Sequence, residues 1–219
     1  LNMSLKNLNV NKVPKELEVK LAHKRIKKLY QFFEKQFLHN KEDFVVAISG
    51  GPDSLALAFL TKIFSLKNNL KCKYYIVDHK IRNESTIEAK KVKSILKNFS
   101  IESKILTFPN KRPYKSTQSF ARKKRYELLF SKCRKYKIYN LILGHHSGDL
   151  IENFFIRMLR GSGLKGLVSF GKIAQINKIN LIRPLLKFKK KDLIFISDYV
   201  FNFFVKDPTN KNEKYTRTR

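Results

Sequence analysis

Residues 44–54 read Phe-Val-Val-Ala-Ile-Ser-Gly-Gly-Pro-Asp-Ser, five apolar residues followed by a turn with two glycines. A short, continuous apolar run predicts a strand that is covered on both faces. Residues 55–66 are mostly apolar and predict a helix directly after the turn. Because Pro52 has no N–H group and a fixed φ angle, it suits the first turn of that helix. The stretch therefore predicts a strand, a glycine turn and a helix, which together open an α/β fold.

The rest of the chain continues this alternation. The predicted elements are a helix over 23–38, strands over 74–77, 101–108 and 139–143, helices over 84–99 and 117–135, a helix from Gly148 that ends before Gly161, and a Lys-rich helix from about Lys189. Residues 1–20 are polar and are predicted to be loosely ordered, and the C-terminal part is less regular. Alternating strands and helices predict a doubly wound, mostly parallel sheet with helices on both faces. Ligands of such sheets bind beyond the carboxyl ends of the strands.

Charge is the most informative feature of the composition. The 219 residues, which suit one domain with a short appendage, include 47 Lys or Arg and 17 Asp or Glu, for a net charge of +30. Ten basic residues and no acidic residue lie between Asn153 and Lys191. AT-rich coding also favours lysine, but charge segregated in this way predicts a binding face for a phosphate backbone. The chain has no apolar run long enough for a membrane helix and begins without a secretory signal, so we expect no membrane partner. Two cysteines without close spacing indicate a reducing compartment.

The glycine turn has the chemistry of a phosphate site. Its glycines allow backbone N–H groups to converge on an anion, and the N-terminus of the following helix adds partial positive charge. Ser49 and Ser54 carry hydroxyl groups that can donate to phosphate oxygens. No lysine follows the glycines, which excludes the Walker A type of loop. The alternative is an ordinary glycine-rich turn whose serine caps the helix.

Further polar residues follow the other predicted strands. Asp78 ends the second strand, His145 and His146 follow the strand over 139–143, and Asp149 and Glu152 are three residues apart on one helix face. Each of these residue types also has a structural explanation, as a buried histidine or as a solvated acidic pair. Their common position at strand ends favours a shared site.

In chain order, these segments resemble the tRNA(Ile)-lysidine synthetase family of PP-loop ATP-pyrophosphatases. The matching segments are SGGPDS (49–54), DHKIR (78–82), ARKKRY (121–126), GHH through Glu152 (144–152), RMLRGSG (157–163), RPLL (183–186) and DPTN (207–210). The resemblance runs from about Phe44 to the last residue, and it implies the fold of the adenine nucleotide alpha hydrolases. It also implies a domain division into a polar segment over 1–22, a catalytic domain over 23–205 and a basic tail over 206–219. Family members continue from that tail into a helical tRNA-binding region.

The resemblance implies a reaction in two steps. ATP adenylates the carbonyl oxygen on carbon 2 of the wobble cytidine in the CAU anticodon of tRNA(Ile), and free L-lysine then displaces AMP to form lysidine. The implied ATP-binding residues are Ser49, Gly50, Gly51, Pro52, Asp53, Ser54, Asp78 and His145, although the residues alone do not decide between His145 and His146. The implied catalytic residues are Asp53, Asp149, Glu152, His145 and Arg122, and the implied Mg²⁺ ligands are Asp53, Asp149 and Glu152. The implied tRNA-binding residues are Arg82, Arg122, Arg125, Arg157, Arg160, Arg183 and Arg217.

The chain departs from the family pattern at Gly148, where family members have the first of two adjacent aspartates. Mg²⁺ needs few carboxylates when substrate phosphates and water complete its shell, so Asp53, Asp149 and Glu152 still suffice. A second requirement concerns the lysine amine, which with a pKa of about 10.4 is only about 0.04% neutral at pH 7. We expect a carboxylate or His145 to accept its proton.

Three alternatives remain at the level of sequence. They are another PP-loop tRNA enzyme such as a cytidine thiolase, a PP-loop synthetase acting on small metabolites, and an inactive RNA-binding protein. Thiolation usually needs a cysteine pair or an iron–sulfur cluster, and small metabolites have no need of a polycationic surface. The expected location is the bacterial cytoplasm or the matrix or stroma of an organelle.

Overall fold

The computed structural model describes residues 13–37, 42–78, 80, 84–107, 118–146, 148 and 173–205. The strands are β1 (Phe44–Ile48), β2 (Cys72–Asp78), β3 (Ser103–Thr107), β4 (Asn140–Ile142), β5 (Ile173–Ile176) and β6 (Ile179–Ile182). The helices are α1 (Lys15–Ala22), α2 (Lys24–Phe37), α3 (Pro52–Lys67), α4 (Ser85–Lys97), α5 (Gln118–Tyr136) and α6 (Lys190–Phe201). None of these helices has the length and hydropathy needed to cross a membrane.

The described strands form a single six-stranded sheet in the order β3-β2-β1-β4-β6-β5. The first five strands in that order pair in parallel, and β5 runs antiparallel to β6 at the edge. Phe44 of β1 pairs with Cys72 on one side and with Asn140 on the other. The carboxyl ends of the parallel strands therefore lie along one edge of the sheet. This arrangement confirms the predicted doubly wound, mostly parallel fold.

Both faces of the sheet are buried at β1, which explains the continuous apolar run in this strand. Phe44, Val46 and Ile48 point into a large core shared with α1, α2, α3, α4 and α6. Val45 points to the other face, where it packs in a second core with Leu129 and other residues of α5. Because side chains alternate along a strand, a strand between two cores has no polar position. The prediction of helices on both faces is confirmed.

The prediction of loose order over residues 1–20 is wrong for residues 15–20, which belong to α1. Leu17 is fully buried in the main core. The ammonium group of Lys20 donates a hydrogen bond of 2.8 Å to the backbone oxygen of Tyr199 in α6. Leu17, with Leu21 packed beside it against the core, and the long-range contact of Lys20 hold a segment that is largely polar in the sequence.

The hairpin of β5 and β6 was not predicted as a hairpin. Its turn residues, Asn177 and Lys178, have φ angles of 49° and 64°. Two consecutive positive φ angles are typical of a type I′ hairpin turn, which usually carries glycine at its second position. Lys178 stands there instead, so the usual sequence signal is absent. The predicted helix after Gly148 and the predicted turn over 207–210 lie outside the described residues.

Candidate active site

The loop and the histidine segment meet at the centre of the sheet. From β1 the chain proceeds to β2 and β3 on one side, and β4 and β6 lie on the other side of β1. This makes the gap between β1 and β4 a topological switch point, where ligands of open α/β sheets bind. Residues 49–54 follow β1, and residues 143–146 follow β4. A Cβ atom added to Gly144 would lie 3.2 Å from the Cα atom of Ser54, so the two segments are in close contact.

The hydroxyl group of Ser54 organises the glycine loop. Its Oγ atom accepts hydrogen bonds from the backbone N–H groups of Ser49 and Gly50, both at 3.1 Å, and from Ser49 Oγ at 3.1 Å. It donates its own proton to the backbone oxygen of Gly51 at 2.9 Å. Because a hydroxyl group has one proton to donate, Ser54 holds the loop in shape rather than offering a donor to phosphate. Ser49 is the more exposed of the two serines.

Gly50 carries the turn itself. Its φ angle is +88°, and an added Cβ atom would lie 2.9 Å from Val92 Cγ2 and 3.0 Å from Val205 Cγ2. The backbone N–H group of Val205 also donates a hydrogen bond of 2.9 Å to the backbone oxygen of Gly50. The loop is therefore pinned between α4 and the segment that follows α6, and only glycine fits both its conformation and its space.

Asp53, in the first turn of α3, faces two cationic or titratable side chains. The ammonium nitrogen of Lys190 lies 2.8 Å from Oδ1 and 2.6 Å from Oδ2 of Asp53. The Nε2 atom of His146 lies 3.9 Å from Asp53 Oδ1. Asp53 is thus positioned at the end of the crevice between β1 and β4, as predicted, but with a lysine partner that the sequence did not indicate.

His146 explains the glycine at position 148. An added Cβ atom at Gly148 would lie 2.6 Å from Cε1 and 3.1 Å from Nδ1 of His146. The imidazole ring of His146, which is buried, fills the space that a side chain at 148 would need. With His146 in this position, a side chain at 148, such as the aspartate of the family pattern, would collide with the imidazole ring.

Arg183 and His145 form a second contact at the carboxyl edge. Arg183 follows β6, is only 4% exposed, and donates a hydrogen bond from Nε to Nδ1 of His145 at 3.2 Å. The pKa of Arg183 is lowered, mainly by burial, with a further lowering contribution from the nearby charge of Arg122. An imidazole nitrogen that accepts a hydrogen bond carries no proton, so neutral His145 has its proton on Nε2.

This contact changes two predictions made from the sequence. Arg183 was predicted to contact tRNA, but its burial makes it an internal partner of His145 instead. His145 was a candidate to accept the proton of the lysine amine. With Nδ1 engaged by Arg183 and the proton on Nε2, His145 is a hydrogen-bond donor and is poorly suited to act as a base.

Arg122 and Arg125 lie on α5, beside the same corner of the site. Arg122 is exposed, and its guanidinium carbon lies 5.5 Å from the centre of the Tyr126 ring. Tyr126 packs against the core that contains Leu181 of β6, which places α5 near this strand. Arg125 is partly buried. Of the predicted tRNA-binding residues that the structure describes, Arg122 is therefore the one whose side chain is open to a large anionic partner.

Asp78 has a structural role. The residue is 2% exposed. Oδ1 accepts hydrogen bonds from the backbone N–H group of Lys80 at 3.0 Å and from Ser85 Oγ at 2.8 Å, and Oδ2 accepts one from Thr86 Oγ1 at 2.6 Å. These bonds attach the start of α4 to the end of β2. These bonds engage both carboxylate oxygens, and ATP binding by Asp78 stays a prediction.

Comparison with known proteins agrees with this geometry. Residues 21–219 match the sequence profile of the PP-loop domain family. The chain belongs to the PP-loop domain family. It is 40% identical over 195 residues to a tRNA(Ile)-lysidine synthase of Orientia tsutsugamushi, an alignment that covers 85% of this chain and 44% of that protein. It is 35% identical over 175 residues to the tRNA(Ile)-lysidine synthase of Rickettsia akari, with 78% and 40% of the two chains covered.

A solved structure supports the fold. The U34-tRNA thiolase of Methanococcus maripaludis, determined with its [4Fe-4S] cluster, superposes with a TM-score of 0.69 at 23% sequence identity. The superposition covers 84% of this chain and 66% of the thiolase. At this identity the likeness concerns the PP-loop fold alone. The chain spans less than half the length of the curated relatives that it matches.

The carboxylates beside the loop decide whether the site fits Mg²⁺. Within the described ranges, no three His, Cys, Asp or Glu side chains are grouped closely enough to hold a metal ion. Among the described residues, Asp53 offers a carboxylate beside the loop, with 21% of its side chain exposed. Mg²⁺ is commonly bound through one or two carboxylates plus substrate phosphates and water, so this residue fits such an ion when phosphate is present. Asp149 and Glu152 lie outside the described residues, as do Arg82, Arg157, Arg160 and Arg217.

Lys190 is the site residue that sequence reasoning missed. It lies 137 residues after Asp53, within a run of three lysines that has no motif of its own. The one signal in the sequence is the placement of lysines at the start of a helix, where cations are electrostatically unfavourable.

Proposed function

We propose that this chain uses ATP to attach free L-lysine to carbon 2 of the wobble cytidine in the CAU anticodon of tRNA(Ile). The product, lysidine, changes the codon that is read from AUG to AUA. The observation that carries the proposal is the meeting of the Ser54-organised loop with the segment that follows β4, where Gly144 approaches Ser54 and His146 faces Asp53 at the switch point. This geometry occurs in a chain 40% identical to a tRNA(Ile)-lysidine synthase.

In the first step, the cytidine O2 atom attacks the α-phosphorus of ATP, and the bond to the bridging oxygen of pyrophosphate breaks. The N–H groups at the start of α3 have no partner within the helix and are suited to the departing pyrophosphate. The Nε2–H group of His145 and the guanidinium group of Arg122 are suited to the charge that develops at the α-phosphate. Mg²⁺, when bound at Asp53, neutralises charge on the pyrophosphate.

In the second step, the ε-amine of lysine attacks carbon 2, and the bond from this carbon to the phosphate-bearing oxygen breaks to release AMP. The amine must lose a proton, and its neutral fraction of about 0.04% at pH 7 represents a cost of roughly 4–5 kcal/mol. His145 donates rather than accepts, so we assign the acceptor to a carboxylate among Asp53, Asp149 and Glu152. The target base leaves its stack to reach the site, as in other base-modifying enzymes.

The positive surface supports a tRNA partner. The net charge of +30 and the exposed Arg122 on α5 favour a polyanion at this edge of the sheet. A small metabolite gains nothing from charge spread over the whole chain. We therefore favour tRNA over the small substrates of other PP-loop synthetases.

Thiolation is the nearest competing function, and the cysteines disfavour it. Cys72 begins β2, so six strand steps of about 3.3 Å each, roughly 20 Å in all, separate it from the carboxyl edge. Burial raises the pKa of the Cys72 thiol, and it raises that of the Cys133 thiol to about 11. Thiols that stay protonated are poor nucleophiles and poor cluster ligands, and the chain has no other cysteine.

Release of pyrophosphate from ATP tests the first step. We expect release to depend on tRNA(Ile) with a CAU anticodon and to need no lysine, and we expect Asp53→Asn to abolish it. Transfer of sulfur to the tRNA would support the thiolase alternative. Tight tRNA binding without any pyrophosphate release would support the inactive RNA-binding alternative and would end the proposal.

A further inference from the structure

The contact between Lys190 and Asp53 is a long-range contact between two helix starts. Lys190 is the first residue of α6, and Asp53 is the second residue of α3. Both carboxylate oxygens of Asp53 face the same ammonium group, at 2.8 Å and 2.6 Å. The side chain of Lys190 is 46% exposed and that of Asp53 is 21% exposed, so solvent and ions reach the pair.

The position of Lys190 does not serve the stability of its own helix. The first turn of a helix carries partial positive charge, so three consecutive lysines at 189–191 are unfavourable there. The acidic residue in that turn, Asp192, pairs with Arg25 at 2.8 Å instead. A residue type that is unfavourable for local helix stability, such as lysine at a helix start, is typical of functional positions.

Helix α6 is fixed against the PP-loop. The hydroxyl group of Ser197, which is fully buried, donates a hydrogen bond of 2.5 Å to the backbone oxygen of Pro52. Ser197 lies seven residues after Lys190 and therefore on the same helix face, two turns away. The backbone of Lys190 is thus held in place while its long side chain stays free to move between partners.

We propose that Lys190 and a divalent cation are alternative partners of Asp53. The cation displaces the ammonium group from the carboxylate, and the released ammonium group then pairs with the oxygens of the pyrophosphate. Lys190 in this way supplies from α6 the lysine that the glycine loop lacks. This inference rests on the proposed function in one respect, the assignment of Asp53 to a divalent cation.

Binding of Mn²⁺ in the absence of nucleotide, followed by its electron paramagnetic resonance signal, tests the competition. Lys190→Gln is expected to bind Mn²⁺ about two- to fivefold more tightly than the wild type, because the competing cation of a half-exposed ion pair is gone. Lys191→Gln makes the same change in net charge one residue away and is expected to bind like the wild type. Adding Asp53→Asn to either background is expected to remove the difference. With Mg²⁺ present, Lys190→Gln is expected to bind inorganic pyrophosphate about two- to fivefold more weakly.

Equal Mn²⁺ affinities for the wild type and Lys190→Gln would overturn the inference, and so would equal effects of Lys190→Gln and Lys191→Gln. Failure to detect Mn²⁺ binding in any variant would overturn it as well. Lysine incorporation by the wild type, measured in parallel, separates this outcome from failure of the proposed function. If the wild type incorporates lysine but Lys190→Gln binds Mn²⁺ no more tightly, only the inference on Lys190 is wrong. If Lys190→Gln binds Mn²⁺ more tightly but the wild type incorporates no lysine, only the proposed lysidine activity is wrong.

Discussion

Arg183 Nε donates a hydrogen bond of 3.2 Å to His145 Nδ1, and this bond decides what His145 offers to a substrate. The proton of the neutral imidazole is on Nε2, so the ring presents a donor towards any group at that atom. The donor role predicts that His145→Gln, whose amide N–H lies near the position of Nε2, keeps pyrophosphate release within about tenfold of the wild type. His145→Asn, whose amide lies near the position of Nδ1, is expected to lose about 10²-fold, the usual effect of removing one preorganised donor. Equal, large losses in both variants would instead indicate that His145 acts as a base.

The exposure of two arginines predicts different effects on tRNA binding. Arg122 is exposed and Arg183 is 4% exposed. Replacing a phosphate-contacting residue removes about one unit from the slope of log affinity against log salt concentration. We expect Arg122→Gln to show this change in a filter-binding titration and Arg183→Gln to keep the wild-type slope. A reduced slope for Arg183→Gln would return this residue to the tRNA interface.

The two loop glycines predict unequal tolerance of a methyl group. At Gly50 the φ angle of +88° and the contact with Val92 both oppose a side chain, so Gly50→Ala is expected to cost about 1–3 kcal/mol in the free energy of unfolding. At Gly51 the φ angle is −69° and the nearest atom to an added Cβ lies 3.7 Å away. Urea unfolding of Gly51→Ala, the matched control, is expected to give a loss below about 1 kcal/mol. Equal losses in the two variants would contradict the positive φ angle of Gly50 and its close contact with Val92.

Gly148 and His146 are expected to be coupled. A Cβ atom at 148 would lie 2.6 Å from the His146 ring, so Gly148→Ala must move that ring. In the wild-type background we expect a loss of about 1 kcal/mol in the free energy of unfolding. In the background of His146→Ala the same change is expected to cost nothing, which gives a coupling energy of similar size in a double-mutant cycle. Additive losses would contradict the packing of His146 over Gly148.

The sequence predicted the central part of the fold well, because periodicity there was unambiguous. The predicted strand over 44–48 matches β1 residue for residue, and α3 begins at Pro52, where the proline had indicated a helix start. Strands buried on both faces carry their signal in consecutive apolar residues, which needs no knowledge of distant contacts. The hairpin of β5 and β6 was missed because its turn is formed by Asn177 and Lys178, without glycine.

The site was predicted by location more successfully than by role. The sequence indicated Asp53, His145 and Arg183 as site residues, and the structure brings all three to the carboxyl edge. The sequence did not indicate the hydrogen bond from Arg183 to His145. It also gave no sign that Ser85 and Thr86 donate to the carboxylate of Asp78, or that the ammonium group of Lys190 pairs with Asp53. The direction of a side chain and its long-range partner depend on packing between distant segments, which single-sequence patterns do not contain.

ATP-dependent incorporation of labelled lysine into a transcript of tRNA(Ile) with a CAU anticodon tests the proposed function most directly. A methionine tRNA with the same anticodon is the control, because it separates recognition of the tRNA body from recognition of the anticodon. The proposal predicts incorporation into tRNA(Ile) alone, and its loss in Asp53→Asn. Pyrophosphate release without incorporation would contradict lysine as the nucleophile, and absence of both would contradict the proposed activity of this chain.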